Sequence, residues 1–173
     1  MKHDESLKTM LPKSLLPLLT ALLIAPAAVP LLPTAPVRAQ ITQTDAAALL
    51  EEANRLLQLG IQQYRVSQFR EALQSWQRAL ELYQDPVAQS AFPQESRSGE
   101  GDVLNNLGVV YSSLGQYQQA LDFREQYFAI VRELGDRAGE GVALVNLGNV
   151  YYGLGQYQQA IDYYEQGLII VRE

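Results

Sequence analysis

The residue types that most often carry chemistry are nearly missing from this sequence. Its 173 residues include no cysteine and one histidine, His3. Without cysteine there is no disulfide, no thiolate nucleophile, no cysteine-based zinc or iron–sulfur site and no lipid-modified N-terminal cysteine. His3 falls in a segment that reads as removed, which excludes a histidine-based triad or metal site. The acids Glu51 and Glu52, or Asp122 and Glu125, could pair for acid–base work. No nucleophile elbow or phosphate loop accompanies them, and scattered acids on helices usually form a solvated face. We therefore expect no catalytic residue, no metal and no cofactor, and not an enzyme. A net charge of −6 lacks the basic footprint of a nucleic-acid binder. What remains is recognition chemistry. Asn106 and Asn146 stand forty residues apart. An asparagine amide both donates and accepts, so it can bond the backbone of an extended peptide whatever its side chains. Arg97 and Arg137, also forty apart, could pair with an acidic ligand, although such residues more often bond a helix end or a nearby acid.

The elements that must position these groups begin after an address. Lys2, Lys8 and Lys13 precede an apolar run from Leu15 to Leu32 that Pro17, Pro26 and Pro30 interrupt, and Val37-Arg38-Ala39 follows. A basic start, a short apolar middle and small residues before a cut make a secretory signal peptide over residues 1–39. The proline-free stretch Leu18–Ala25 is far shorter than the ~20 residues a membrane span needs. The expectation is export to periplasm or medium, with no membrane attachment after cleavage near Ala39. Residues 40–173 would carry nine arginines against seventeen acids, a net −8.

A repeat organises those residues. Laid on Gly141–Glu173 without a gap, Gly101–Glu133 agrees at twenty-one of thirty-three positions. The string Leu-Gly-Gln-Tyr-Gln-Gln-Ala occurs at 114–120 and again at 154–160. A weaker copy lies upstream at an offset of forty-eight: Leu59-Gly60 answers Leu107-Gly108, Phe69 answers Tyr117, and Ala72 answers Ala120. The extra residues fall at about 85–95, where Pro86 and Pro93 sit. Repeats are thus expected at about 53–86, 101–134 and 141–173, within one domain of 40–173.

Each unit reads as two helices. Leu104, Leu107, Gly108 and Tyr111 follow the i, i+3, i+4, i+7 spacing of one helix stripe. Gly115 is placed to end that helix in the left-handed region. Tyr117, Ala120, Leu121 and Arg124 open a second stripe. Asp136 is expected to cap the third unit's first helix, and Ser96 the second's. Mid-helix Gly108 and Gly148 cost ~1 kcal/mol each relative to alanine, so they should mark close helix–helix contact. Trp76 reads as core. No sustained two-residue alternation predicts a sheet.

The pattern resembles the tetratricopeptide repeat, Trp-x2-Leu-Gly-x2-Tyr followed by Ala-x3-Phe. Here it stands as Leu104-x2-Leu107-Gly108-x2-Tyr111 with Ala120-x3-Arg124, and as Leu144-x2-Leu147-Gly148-x2-Tyr151 with Ala160-x3-Tyr164. The first copy is Leu56-x2-Leu59-Gly60-x2-Gln63 with Ala72-x3-Trp76. Arg124 and Gln63 depart from the family's aromatics. The forty-residue period is similar to the long-repeat branch of kinesin light chains and Pins-like adaptors, whose linkers resemble Gly135-Asp136-Arg137-Ala138. The resemblance implies an all-α, right-handed superhelical α-solenoid of antiparallel helix pairs. It also implies a concave groove, lined by the first helix of each pair, that binds a peptide or protein. At 100° per residue the groove-facing set is Asp102, Asn105, Asn106, Val109, Ser112 and Ser113. The third unit matches it with Val142, Val145, Asn146, Asn149, Tyr152 and Gly153, and the first with Asn54, Leu57, Gln58, Ile61, Tyr64 and Arg65.

Apolar Leu168, Ile169, Ile170 and Val171 lie where repeat arrays normally carry a polar cap. Two further expectations follow. The array is a regulatory arm of a truncated or split enzyme, similar to exported cyanobacterial proteins in which such repeats precede a caspase-like CHAT domain. Alternatively, it self-assembles through this edge.

Overall fold

A computed structural model describes residues 34–172, with side chains from residue 43 onward. The chain divides into two units, Met1–Thr34 and Ala35–Glu173, and the second is described here. Most of the expected leader lies outside the described residues. The expected cleavage point at Ala39 falls in the first turns of helix α1.

Among the described residues seven helices follow one another: α1 Thr34–Arg65, α2 Phe69–Tyr83, α3 Pro86–Ala91, α4 Pro93–Ser113, α5 Tyr117–Glu133, α6 Arg137–Gly153 and α7 Tyr157–Val171. Among the described residues there is no strand. Helices α1/α2, α4/α5 and α6/α7 are the three hairpins of the repeat, stacked as an all-α solenoid. The inserted residues form α3, which Asp85 starts by accepting a bond from the Val87 amide, with Pro86 in the first helical position.

One turn geometry recurs between the helices of a hairpin and between hairpins. In each, the amide three residues past the helix reaches back five residues: Gln116 N to Tyr111 O at 2.8 Å, Asp136 N to Val131 O at 2.8 Å, and Gln156 N to Tyr151 O at 2.9 Å. This closure needs a left-handed residue after the helix. Gly115 supplies it at φ +72. In the first hairpin the equivalent residue is Ser67, which adopts φ 63 with a side chain, while Gln68 N bonds Gln63 O at 2.9 Å. Asp136 caps α6 as expected, its carboxylate accepting from the Gly139 amide at 2.9 Å. Ser96 does not cap α4. Pro93, with its preset φ, starts that helix earlier, and Ser96 lies one turn inside, fully buried, its Oγ without a hydrogen-bond partner.

The core runs along the array. Its first part joins Leu50, Leu56, Trp76, Leu82 and Tyr83 with Val103, Leu107 and Val110. Leu104 packs with Tyr127, Ile130, Val131 and Ala143, and Leu121 with Leu147 and Val150. Each large apolar side chain so buried contributes about 1.5–3 kcal/mol. The expected close approaches are present: a Cβ on Gly108 would lie 2.7 Å from Arg124 Nε, and one on Gly148 would lie 2.5 Å from Tyr164 Cε1. Gly60 stands against Trp76 in the same way.

First helices α4 and α6 touch each other directly. Among the described residues the second helices α2, α5 and α7 make no such contact with one another. The row of first helices is therefore the tighter, inner one. Leu57 departs from the expected groove set. It is buried in the core, with α2 packed over its turn and its carbonyl accepting from Trp76 Nε1 at 3.1 Å.

Candidate functional site

The inner row presents the side chains that the helical stripe leaves over once Leu104, Leu107 and Gly108 are committed to the core. Asn105, Asn106 and Val109 on α4, and Asn146 on α6, are half-buried, while Asp102, Val142 and Asn149 are exposed. Tyr152 is 62% exposed and leans edge-on against Tyr157, ring centroids 5.3 Å apart. Tyr64 bridges the first two hairpins along this row, its hydroxyl 3.0 Å from Ser113 Oγ.

The repeat-matched amides behave differently. Asn106 Nδ2 donates to Asp102 O on its own helix at 2.9 Å. Asn146 Nδ2 instead donates across to Asn105 Oδ1 on the neighbouring hairpin at 3.2 Å. The same Asn105 oxygen also accepts from Arg124 Nη1. Arginine only donates, so the atom facing it must be the amide oxygen, and that fixes which way the Asn105 amide points.

Arg124 is the member of the second helix stripe that departs from the family's aromatic. It comes from α5, is 5% exposed, and packs over Gly108. Its Nε has no hydrogen-bond partner. Burial pushes its guanidinium down to about 10, partly opposed by Tyr127. The available signal was its position: Trp76 and Tyr164 fill the matching sockets, so Arg124 had to be a core residue that carries charge.

Arg97 and Arg137 are engaged inside the array. Arg97 bonds Glu100 at 2.7 Å and Glu133 at 2.5 Å, and these acids hold its guanidinium above its ordinary value, Glu133 foremost. Arg137 pairs with Glu140 at 2.7 Å. Arg97–Glu100 and Arg137–Glu140 are repeat-matched i, i+3 pairs in the first half of a first helix.

Next to the inner row, between α1, α2 and α4, lies a recess of about 440 Å³ lined by Asn54, Tyr83, Glu95, Ser98, Gly99 and Asp102 among others. Tyr83 donates to Asn54 Oδ1 at 2.7 Å, and burial, aided by Asp102, pushes its phenol up to about 12. Asp102 is itself raised from its ordinary value, first by partial desolvation of its carboxylate and then by Asp136. Among the described residues no group of histidine, cysteine, aspartate and glutamate is placed to hold a metal, and no helix is long and apolar enough to cross a membrane.

Residues 100–173 match the family model of the tetratricopeptide repeat. Two solved structures share the fold. The crystal structure of BtubC (BKLC) from P. vanneervenii is 26% identical with a TM-score of 0.61, over 69% of this chain and 46% of that one. This chain thus spans about half of BtubC's length. The TPR domain of Arabidopsis FLU is 22% identical with a TM-score of 0.60, over 70% of this chain and 96% of that domain. No curated protein matches the chain.

Proposed function

We propose that this protein is an exported, non-enzymatic scaffold that holds a peptide or protein partner along the inner row of first helices. The observation that carries the reading is the half-buried amide row Asn105, Asn106 and Asn146 on the tighter side of the solenoid. Groups of this kind, partly desolvated and able to donate and accept, suit the backbone of an extended chain. Export rests on the basic–apolar–small pattern of residues 1–39. The long-repeat kinship rests on the forty-residue period and the Gly135-Asp136-Arg137-Ala138 linker. The test is selection of a displayed peptide library on the full chain, followed by replacement of Asn106 and Asn146 with alanine. The double variant should keep its helical circular dichroism and bind the selected peptides at least about tenfold more weakly. Unchanged affinity would remove the groove from the account.

A second reading is favoured by the outer face of α7. Tyr157, Ile161, Leu168, Ile169 and Val171 are exposed there. Leu121 and Val131 on α5, the counterparts of Ile161 and Val171, are covered by Leu147, Val150 and Ala143 of α6. A face built for stacking suits an array that docks on a further helix. That helix could belong to an enzyme domain of the CHAT type that the array regulates, or to a second copy. Sedimentation that gives a monomer at all concentrations would dismiss the second copy.

A further inference from the structure

The three sockets under Gly60, Gly108 and Gly148 have the same backbone frame and different fillings. Trp76 and Tyr164 fill theirs with a neutral ring and send one donor to a neutral acceptor, Leu57 O and Asn149 Oδ1 respectively. Arg124 fills the middle socket with a cation. Among the described residues no carboxylate pairs with it: the ion pairs run between other residues. Its nearest polar partner is the neutral amide of Asn105. A buried guanidinium without a counter-charge is strongly disfavoured, and packing alone would be served by an aromatic.

The amide in front of it is set to pass the charge outward. Asn105 Oδ1 accepts from Arg124 behind and from Asn146 beside it. Its Nδ2, on the opposite corner of the same planar group, is thereby held as a donor, and Asn105 is half-buried on the inner row. Two cooperating donors on the oxygen polarise the amide and strengthen its N–H groups toward an acceptor. A lone donor backed by a buried positive charge favours an anion over a neutral carbonyl.

We propose that Asn105, backed by Arg124 and flanked by Asn146, is a subsite that takes the carboxylate of an aspartate or glutamate side chain in a peptide lying along the inner row. The inference rests on the peptide-groove reading above and adds its selectivity. The carboxylate accepts from Asn105 Nδ2 and supplies the counter-charge that Arg124 lacks. It also explains how a strongly acidic protein can recognise an acidic segment: the attraction is local and desolvated, while the exposed carboxylates are screened by salt.

The experiment scans end-blocked octapeptides in which one position is fixed as Asp, Asn, Glu or Gln, on the full chain and on Arg124→Tyr. Tyrosine is chosen because Tyr164 already fills the equivalent socket, and circular dichroism verifies the fold. The wild type should prefer the acid to its amide isostere at one position by about tenfold, the scale of one charge-assisted hydrogen bond. In Arg124→Tyr that ratio should fall to near one. Peptides that bind without acid preference, or a preference that survives Arg124→Tyr, would overturn the subsite and leave the groove standing. No binding by any peptide would overturn both. A peptide-independent readout is titration with acetate followed by NMR. The Asn105 side-chain amide signals should shift in the wild type and stay still in Arg124→Tyr, and a wild-type spectrum unmoved by acetate would also overturn the subsite.

Discussion

The first hairpin and the later two solve the same packing problem with different chemistry. In the second, Tyr111 stacks on Phe123 with centroids 5.2 Å apart and planes 13° from parallel. In the third, Tyr151 and Tyr163 repeat that stack at 5.1 Å and 11°. At the matching positions the first hairpin has Gln63 and Ser75, which make a 2.7 Å hydrogen bond instead. Its ring content is moved elsewhere: Trp76 fills the glycine socket, 1% exposed, and Tyr64 packs between Trp76 and Phe69. A repeat therefore conserves a frame of close contacts and leaves open which residue supplies volume, which supplies a hydrogen bond and which supplies charge.

Replacing the socket residues one at a time should separate those contributions. The largest effect is expected for Trp76→Ala, which empties a sealed site and should cost about 3–5 kcal/mol. Tyr164→Ala should cost clearly less, because Tyr164 is half-buried and solvent can fill its place. Denaturant midpoints at constant m-value would measure the gap, and equal losses would mean the two sockets are equally closed.

The middle socket should respond with the opposite sign. Arg124→Met removes a buried cation and keeps the packing, so stability should hold or rise. Asn105→Ala takes away the amide oxygen that accepts from the cation and should cost about 1–3 kcal/mol. Alkaline pH sharpens the contrast. Arg124 gives up its proton near 10 in the folded chain and only at a higher pH once unfolded. Between these values the unfolded state binds more protons, so this residue's contribution to stability rises with pH, and its burden is fully present below 10. Tyr83 acts in reverse, since its folded value of about 12 exceeds its ordinary 10 and its contribution falls across that range. The pH slopes of stability of Arg124→Met and Tyr83→Phe between pH 9 and 11 should differ from the wild-type slope in opposite directions, and parallel curves would contradict both assignments.

The smallest effect is at the turns. Ser67→Gly should stabilise the first hairpin by about 0.5–1 kcal/mol, because a side chain at positive φ is strained there. Gly115→Ala in the second hairpin should destabilise by a similar amount. Thermal unfolding checks both, and a neutral Ser67→Gly would show that the left-handed residue is not a source of strain.

Much of the fold was legible in the residues because it depends on local rules. The 3.6-residue spacing of Leu104, Leu107, Gly108 and Tyr111 set a stripe. Gly115 set a stop, and the forty-residue echo set the stacking. The failures were equally local in origin. Ser96 resembles a cap, yet Pro93 three residues earlier starts the helix and carries Ser96 inside. Leu57 lies on the groove side of an ideal wheel, but α2 covers that turn. Of the candidate groove residues, Asn105, Asn106, Asn146 and Asp102 do lie together on the inner row. Arg97 and Arg137 are held by Glu100, Glu133 and Glu140, partners whose relevance depends on how helices meet.

By themselves the residues determined that this chain is a row of helix pairs, where each pair turns, and that it holds no cysteine and one histidine. These follow from periodicity, backbone sterics and composition, which need no partner in space. Only the tertiary structure decided that Arg124 is buried without a counter-charge and that Asn105 joins it to Asn146. A charge is costly or cheap according to what surrounds it, and here the surroundings come from helices nineteen and forty-one residues away along the chain.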